Sequence, residues 1–269
     1  MFNFSLVLKG MVIGVANIIP GLSGGTMAVI LGVYHQLIAA MSCVIKFKKG
    51  SFKTSFWFLF LLVLGAVVGI YSFSYLIEWL LFEWAEPISY FFIGTILSSI
   101  PYIVKSESVN YKSLSSVGVF VVFMLIGLFF VGLKTQFLGS SDVSISLFYL
   151  FISACVAAGA MIIPGVSGSL VFVLFGTYNT VILAIKMVML KPLLVIGLGA
   201  VCGLMLTSVG INFCLKKFFN LTMMAILGLM LGTMPGLFVG FTGKLVGADM
   251  LGLFLGIVVV WSFSLVSKK

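Results

Sequence analysis

Residues 18–24 of this 269-residue chain read Ile-Ile-Pro-Gly-Leu-Ser-Gly, and residues 162–168 read Ile-Ile-Pro-Gly-Val-Ser-Gly. Each copy of this Pro-Gly-x-Ser-Gly element lies near the middle of a long apolar stretch, 5–45 in the first case and 146–189 in the second. Proline removes a backbone donor and glycine permits an unwound turn, so each element is expected to break a helix. The predicted helix-break residues are Pro20, Gly21, Pro164 and Gly165.

The composition excludes most other classes of protein. Hydrophobic residues make up 62% of the chain and charged residues only 8%, and the mean hydropathy is +1.33. Soluble domains have roughly 45–50% apolar and 25% charged residues. A soluble enzyme, a disordered chain and a disulfide scaffold are therefore excluded, and outer-membrane barrels would show alternating polarity. The fold class expected is an all-α polytopic membrane protein.

Apolar segments between the lysine-bearing loops predict the membrane spans. A helical span needs roughly 20 apolar residues. The predicted spans are 56–77, 88–104, 114–133, 193–212, 221–239 and 250–266. The two interrupted stretches are predicted to be re-entrant hairpins of two half-helices, with two complete spans as the alternative. The N-terminal segment is expected to be the first membrane element and not a removed signal peptide.

The two halves of the chain resemble each other along their length. The paired elements, and the pairs Gly32/Gly176 and Tyr34/Tyr178, share an offset of 144 residues (162 − 18). The likeness continues at an offset of 134 residues, with 64–69 matching 198–203. We expect two repeats, 1–134 and 145–269, within one integral membrane domain. A hairpin plus three spans makes an odd number of crossings, so the second repeat should be inverted.

The distribution of charge predicts the orientation. The net charge is +9, and all 15 basic residues are lysines in or near short loops, which is typical of the positive-inside effect and not of nucleic-acid binding. Placing both termini in the cytoplasm puts eleven of the lysines inside. These are Lys9, Lys46, Lys48, Lys49, Lys53, Lys105, Lys112, Lys216, Lys217, Lys268 and Lys269.

The residues that follow each break are the candidate binding groups. Serine or threonine can cap the next half-helix, and glycines let an anion approach the main-chain N–H groups at its positive end. The other interpretation is that the glycines only allow helices to pack closely. The candidate ligand residues are Asn17, Ser23, Gly24, Gly25, Thr26, Ser167, Gly168 and Ser169. Secondary candidates are Tyr34, His35, Tyr178 and Lys186. Scattered cysteines and a single histidine predict neither a metal site nor a cofactor.

These residues resemble the polyprenyl-phosphate transporter family, formerly a membrane family of unknown function. Residues 17–26 with Gly32-x-Tyr34 are similar to its first signature, and 163–169 with Gly176-x-Tyr178 to its second. The resemblance implies a flippase that returns undecaprenyl phosphate from the outer to the cytoplasmic leaflet of the bacterial cell membrane for reuse in cell-wall synthesis. An acidic residue often follows the first tyrosine in that family, whereas this chain has His35. Carboxylate-based proton coupling at that point is therefore in doubt.

Other functions stay open on the sequence alone. One alternative is a secondary transporter of a small soluble anion, and another is a non-transporting scaffold for cell-envelope enzymes. An enzyme is not expected, because the few acids and the single histidine form no recognisable catalytic set. Coupling to protons or another ion, and self-association, are left open.

Overall fold

The computed structural model describes residues 4–18, 23–46, 50–136, 146–237 and 247–266. Within these ranges the chain is helical and forms no strand. The helices are α1 (Phe4–Ile18), α2 (Gly24–Ile30), α3 (Tyr34–Ile45), α4 (Phe52–Glu83), α5 (Ala85–Ser106), α6 (Leu114–Gln136), α7 (Leu147–Ile162), α8 (Gly168–Leu174), α9 (Tyr178–Lys186), α10 (Leu190–Lys217), α11 (Phe219–Thr233) and α12 (Gly247–Val266). A 3-10 turn, Met234–Leu237, extends α11.

The helices have the lengths and composition of a multi-pass membrane protein. Among the described residues, five helices are long and apolar enough to cross a membrane: α4, α5, α6, α10 and α11 with its 3-10 extension. The pair α2 and α3 would add a sixth if it were one span, but the two helices are bent by 118° at the break between them. The remaining apolar helices, α1, α7 and α12, are shorter.

The long helices extend past the predicted span limits. The predicted span 56–77 lies within α4, which has 32 residues and a length of about 48 Å. The hydrocarbon core of a bilayer is only about 30 Å thick. Lys53, Glu78 and Glu83 lie in the extra turns. The charged residues thus indicate the ends of the apolar segment, but they do not indicate the ends of the helix, which continues beyond them.

Two matching glycines end the short helices that follow the breaks. Gly32 has φ +68° and Gly176 has φ +65°, which is the left-handed conformation that favours glycine. Beyond Gly32, the Val33 N–H donates to the Ala28 carbonyl at 2.9 Å, and the Thr177 N–H donates to the Phe172 carbonyl at 2.9 Å. Both are Schellman ends, in which the glycine stops the helix and redirects the chain. This geometry explains the Gly-x-Tyr spacing, because α3 and α9 each begin at the tyrosine.

Each short helix runs back along the helix before it. The Lys9 ammonium group in α1 donates to the Leu31 carbonyl at the end of α2, 3.1 Å away. The Tyr149 hydroxyl in α7 donates to the Phe175 carbonyl at the end of α8, 3.0 Å away. In both halves a side chain near the start of the first helix therefore meets the end of the short helix, which makes each pair a helical hairpin.

Close helix packing at glycines repeats between the halves with the same offsets as the sequence. A Cβ on Gly65 of α4 would collide with the Val7 carbonyl oxygen of α1, and a Cβ on Gly199 of α10 would lie 2.5 Å from the Phe151 carbonyl oxygen of α7. Small residues at such contacts let backbones approach closely in membranes. The glycines therefore hold α1 against α4 and α7 against α10.

Other glycine contacts join the two halves. Gly94 of α5 lies against the Leu253 carbonyl of α12, and Gly228 of α11 lies against the Phe120 carbonyl of α6. The second long helix of each half thus packs on the third helix of the other half. The halves are interlocked, and the short helix α2 is buried throughout its length.

Candidate functional site

The start of α2 is tied to α1 by side chains. Ser23 is the N-cap of α2, and its hydroxyl accepts a hydrogen bond from the Gly25 N–H at 3.2 Å. The Gly24 N–H donates to the Asn17 side-chain oxygen at 3.2 Å, and the Asn17 amide nitrogen donates to the Ile13 carbonyl at 3.1 Å. The first main-chain donors of α2 therefore have partners. Pro20 and Gly21, predicted to make the first break, lie outside the described residues.

The start of α2 meets the second break, between α7 and α8. The Thr26 hydroxyl in α2 accepts a hydrogen bond from the Gly165 N–H at 2.9 Å, and Thr26 is only 1% exposed. Beside it, a Cβ on Gly25 would lie 2.9 Å from the Ile162 carbonyl oxygen. The residues directly after the first copy of the motif therefore contact the second break, and glycine at 25 leaves room for this approach.

The second Pro-Gly-x-Ser-Gly element lies between two helices. Helix α7 ends at Ile162, and α8 begins at Gly168 after a non-helical segment that contains the buried Pro164. Gly165 has φ +87° and lies so close to α11 that a Cβ there would be 2.9 Å from the Leu229 carbonyl oxygen. Proline and glycine thus break the helix at a position that is packed against protein, as unpaired backbone in a membrane requires.

Side-chain hydroxyls are more accessible at the second break than at the first. Ser167 is the N-cap of α8 but makes no capping bond; its hydroxyl lies 2.7 Å from that of Ser169. Ser169 is exposed and Ser167 is half-buried, whereas Ser23 is 6% exposed. Gly168 packs against Met161, which stands where the first half has Asn17. The two copies of the motif therefore differ in chemistry.

At the first break, an anion can use the main-chain donors of Gly24 and Gly25 only by an exchange of partners. The N–H groups of Gly24 and Gly25 already donate to oxygens of Asn17 and Ser23. The N–H group of Gly165 donates to Thr26. An anion that accepts from these groups must displace the side-chain oxygens. The side chain of Asn17 is exposed, so an anion can reach the Gly24 N–H group from the side on which Asn17 lies.

Two of the secondary candidates, Tyr34 and Tyr178, begin the helices that follow α2 and α8. Tyr34 is 2% exposed, and its hydroxyl has no hydrogen-bond partner among the described residues. Tyr178 begins α9 and is 40% exposed. The side chain of Lys186 lies outside the described part of the structure.

His35 contacts an acidic residue that sequence reasoning did not connect with it. Its Nε2 lies 3.6 Å from the Glu107 Oε2, and its ring stacks on Phe219 with centroids 5.4 Å apart. These contacts join α3 to the end of α5 and the start of α11. No local signal in the sequence pairs His35 with Glu107, because only the fold brings them together. Within the described ranges, no cluster of three or more acidic, histidine or cysteine side chains is arranged to hold a metal.

Comparison with known proteins gives consistent results. A family model described as "Undecaprenyl phosphate translocase-like" matches residues 13–248. The chain is 33% identical over 245 residues to a polyprenyl-phosphate transporter of Vibrio cholerae, covering 87% of this chain and 77% of that relative. It is 32% identical over 260 residues to a polyprenyl-phosphate transporter of Staphylococcus aureus, covering 91% of this chain and 89% of that relative. No solved structure matches the chain.

Proposed function

Because the chain belongs to the undecaprenyl phosphate translocase-like family, we propose that it carries undecaprenyl phosphate from the outer to the cytoplasmic leaflet of the bacterial cytoplasmic membrane. The returned carrier is then reused in cell-wall synthesis. The protein acts as a transporter and not as an enzyme. The observation that carries the proposal is the buried hydrogen bond between Thr26 and Gly165, because it joins the two broken helices. Sites between such helices are typical of secondary transporters.

The proposed head-group site uses main-chain donors and hydroxyls at the two breaks. A phosphate monoester carries a charge of about −1.5 to −2 at neutral pH and offers strong acceptor oxygens. The oxygens of Asn17, Ser23 and Thr26 accept from the donors that we assign to the phosphate oxygens. A buried N–H left without any partner would cost about 1–3 kcal/mol, so the exchange keeps the donors satisfied. The proposed ligand residues are Asn17, Ser23, Gly24, Gly25, Thr26, Ser167, Gly168 and Ser169.

We propose that the halves, 1–134 and 145–269, are inverted repeats and that each hairpin is re-entrant. The recurrence of the glycine contacts, the Schellman ends and the hairpin hydrogen bonds supports the repeat. The seven-residue lengths of α2 and α8 support short returning helices over complete spans. The lysine distribution favours a cytoplasmic location for both termini.

Alternating access requires a part of the protein to move, and the glycine contacts limit which part. Motion of one whole half against the other would break the packing of Gly94 on Leu253 and of Gly228 on Phe120. We therefore propose that the hairpins, with the long helices α4 and α10 packed on them, move against the four interlocked helices α5, α6, α11 and α12. This motion also has to release Gly165 from the Leu229 carbonyl of α11. The Thr26–Gly165 bond then opens and closes within the hairpin group.

Transport into sealed proteoliposomes tests the proposal. The purified protein is reconstituted with labelled undecaprenyl phosphate, and the label accessible on each leaflet is followed over time. We expect exchange between leaflets with the wild type and none with protein-free vesicles. Equal rates in the two samples would contradict the transport function. Release of inorganic phosphate at the rate of label loss would indicate an enzyme instead.

A further inference from the structure

A groove with a volume of about 550 Å³ lies beside α1. Of the residues in the proposed head-group site, Asn17 alone lies on α1. The walls of the groove come from α1, α2, α4 and α5, and include Val12, Val15, Met27, Phe73 and Phe92. Ligand sites commonly have volumes of roughly 300–1,000 Å³ and mostly apolar walls. The side chains of Val12 and Phe73 are each 37% exposed at the surface of the protein. In a membrane the open side of the groove would therefore face lipid.

Lys9 is the one charged residue among those that line this groove. It is half-buried, and its only described partner is the Leu31 carbonyl. An ammonium group has three donors, so two stay available. A charged side chain on an apolar membrane helix is costly and commonly marks a site for a ligand or a pathway. No acidic partner of Lys9 is found in the described part of the chain, so its charge suits an anion from outside the protein.

The second half shows that closing the hairpin does not need a charge. There the neutral hydroxyl of Tyr149 bonds to the Phe175 carbonyl, which is the counterpart of Leu31. The residue at the position equivalent to Lys9 is Ser153, which is fully buried and bonds to the Leu150 carbonyl. The positive charge at Lys9 therefore has a use other than fastening α2 to α1.

We propose that the groove holds the prenyl chain of the lipid, with the phosphate against the Lys9 ammonium group; this rests on the proposed function. A chain of apolar isoprene units suits the apolar walls, and the head group suits the lysine charge. Lys9 is eight residues before Asn17 on α1, which is about 12 Å along the helix. With the N-terminus in the cytoplasm, Lys9 receives the phosphate on its way from the breaks to the cytoplasmic leaflet.

Lipid binding to the purified full-length protein in nanodiscs tests this site. The probe is a prenyl phosphate with a photoreactive diazirine in its tail, and cross-linked peptides are identified by mass spectrometry. We expect labelling of α1, Phe73 and Phe92. The variant Lys9→Gln should weaken binding by about tenfold or more, because contacts to charged groups are lost. Lys9→Arg and the control Lys46→Gln, at the exposed end of α3, should bind as the wild type does.

The results separate this site from the transport function. Undecaprenol, which lacks the phosphate, should bind Lys9→Gln and the wild type equally, which also shows that the variant is folded. Labelling confined to other helices, or unchanged binding by Lys9→Gln, would overturn the site even if the protein transports lipid. Equal competition by phosphatidylglycerol would overturn the choice of prenyl lipid. Labelling of the groove without transport in vesicles would keep the site and contradict the proposed function.

Discussion

The hydroxyl of Thr26 accepts a hydrogen bond from the Gly165 N–H at 2.9 Å, and this bond links the two Pro-Gly-x-Ser-Gly elements across 139 residues of chain. Thr26 follows the first element and is almost fully buried. A threonine hydroxyl accepts without carrying a charge, so the contact is compatible with opening at modest cost. The bond is thus both a tie between the breaks and the natural place for them to separate.

Replacement of Thr26 by valine should show what this bond contributes. The shape of the side chain is kept, but the Gly165 N–H loses its acceptor, so we expect a loss of about 1–3 kcal/mol in unfolding free energy. The measurement is the thermal unfolding midpoint of purified protein in detergent. Thr26→Ser should retain most of the stability. Equal midpoints for Thr26→Val and the wild type would contradict the role of this bond.

A side chain at position 25 should keep the breaks apart. In Gly25→Val the added atoms meet the Ile162 carbonyl, since even a Cβ would lie only 2.9 Å away. We expect membrane insertion to persist and initial transport to fall at least tenfold in proteoliposomes, since a misplaced site costs at least that factor. The matched control is Gly118→Ala in α6, where a Cβ meets nothing within 4 Å. The prediction fails if Gly25→Val transports lipid as fast as Gly118→Ala.

Variants of Asn17 should distinguish a ligand contact from a helix fastener. In Asn17→Asp a carboxylate would sit on the Gly24 N–H and repel the phosphate, whereas Asn17→Ala frees that donor. We therefore expect initial transport rates in the order wild type, alanine, aspartate, from fastest to slowest. If Asn17 only fastens α2 to α1, aspartate should perform better than alanine, because it retains an acceptor for Gly24.

The left-handed glycines should tolerate asparagine better than alanine. No atom would crowd a Cβ at Gly32 or Gly176, so the cost arises from φ alone. We expect Gly32→Ala and Gly176→Ala each to lose roughly 1 kcal/mol of unfolding free energy, with smaller losses for asparagine. Chemical or thermal unfolding of the four variants measures this. Equal losses for alanine and asparagine would show that φ is not the cause.

His35 should have little part in head-group binding. Its imidazole faces the Glu107 carboxylate at 3.6 Å, and a second anion beside that carboxylate would be repelled. His35→Phe keeps an aromatic ring to stack on Phe219, and we expect it to transport at a rate close to the wild type. A loss of transport as large as that of Gly25→Val would return His35 to the set of ligand residues.

Local backbone features were open to prediction because single residues determine them. Pro164 and Gly165 follow the end of α7, Ser23 caps α2 in the first half, and Gly32 ends α2, each through its own stereochemistry. The presence of several long apolar helices was also open to prediction, since apolar length is a property of the sequence. The limits of α4 were not open to prediction in this way, because the helix continues past the apolar segment through turns that contain charged residues.

The partners of the polar groups could not be read from the sequence. Serine at position 23 predicts a cap on the Gly25 N–H, but no local signal predicts that the Gly24 N–H donates to Asn17. The contacts of His35 with Glu107 and Phe219 join three helices in space and have no periodicity along the chain. Side-chain partners depend on the angles and depths at which helices cross, and composition does not determine these.

The crossed packing of α5 on α12 has a consequence for biosynthesis. Leu253 is made about 160 residues after Gly94, a delay of roughly ten to thirty seconds at about 5–20 residues per second. During that interval the face of α5 that contains Gly94 lies in the bilayer without α12, the helix on which it finally packs. The nascent first half must therefore wait in the membrane, covered by lipid or by an insertion chaperone, until the last helix emerges. A ribosome stalled before residue 247 would leave a product that is inserted but not assembled.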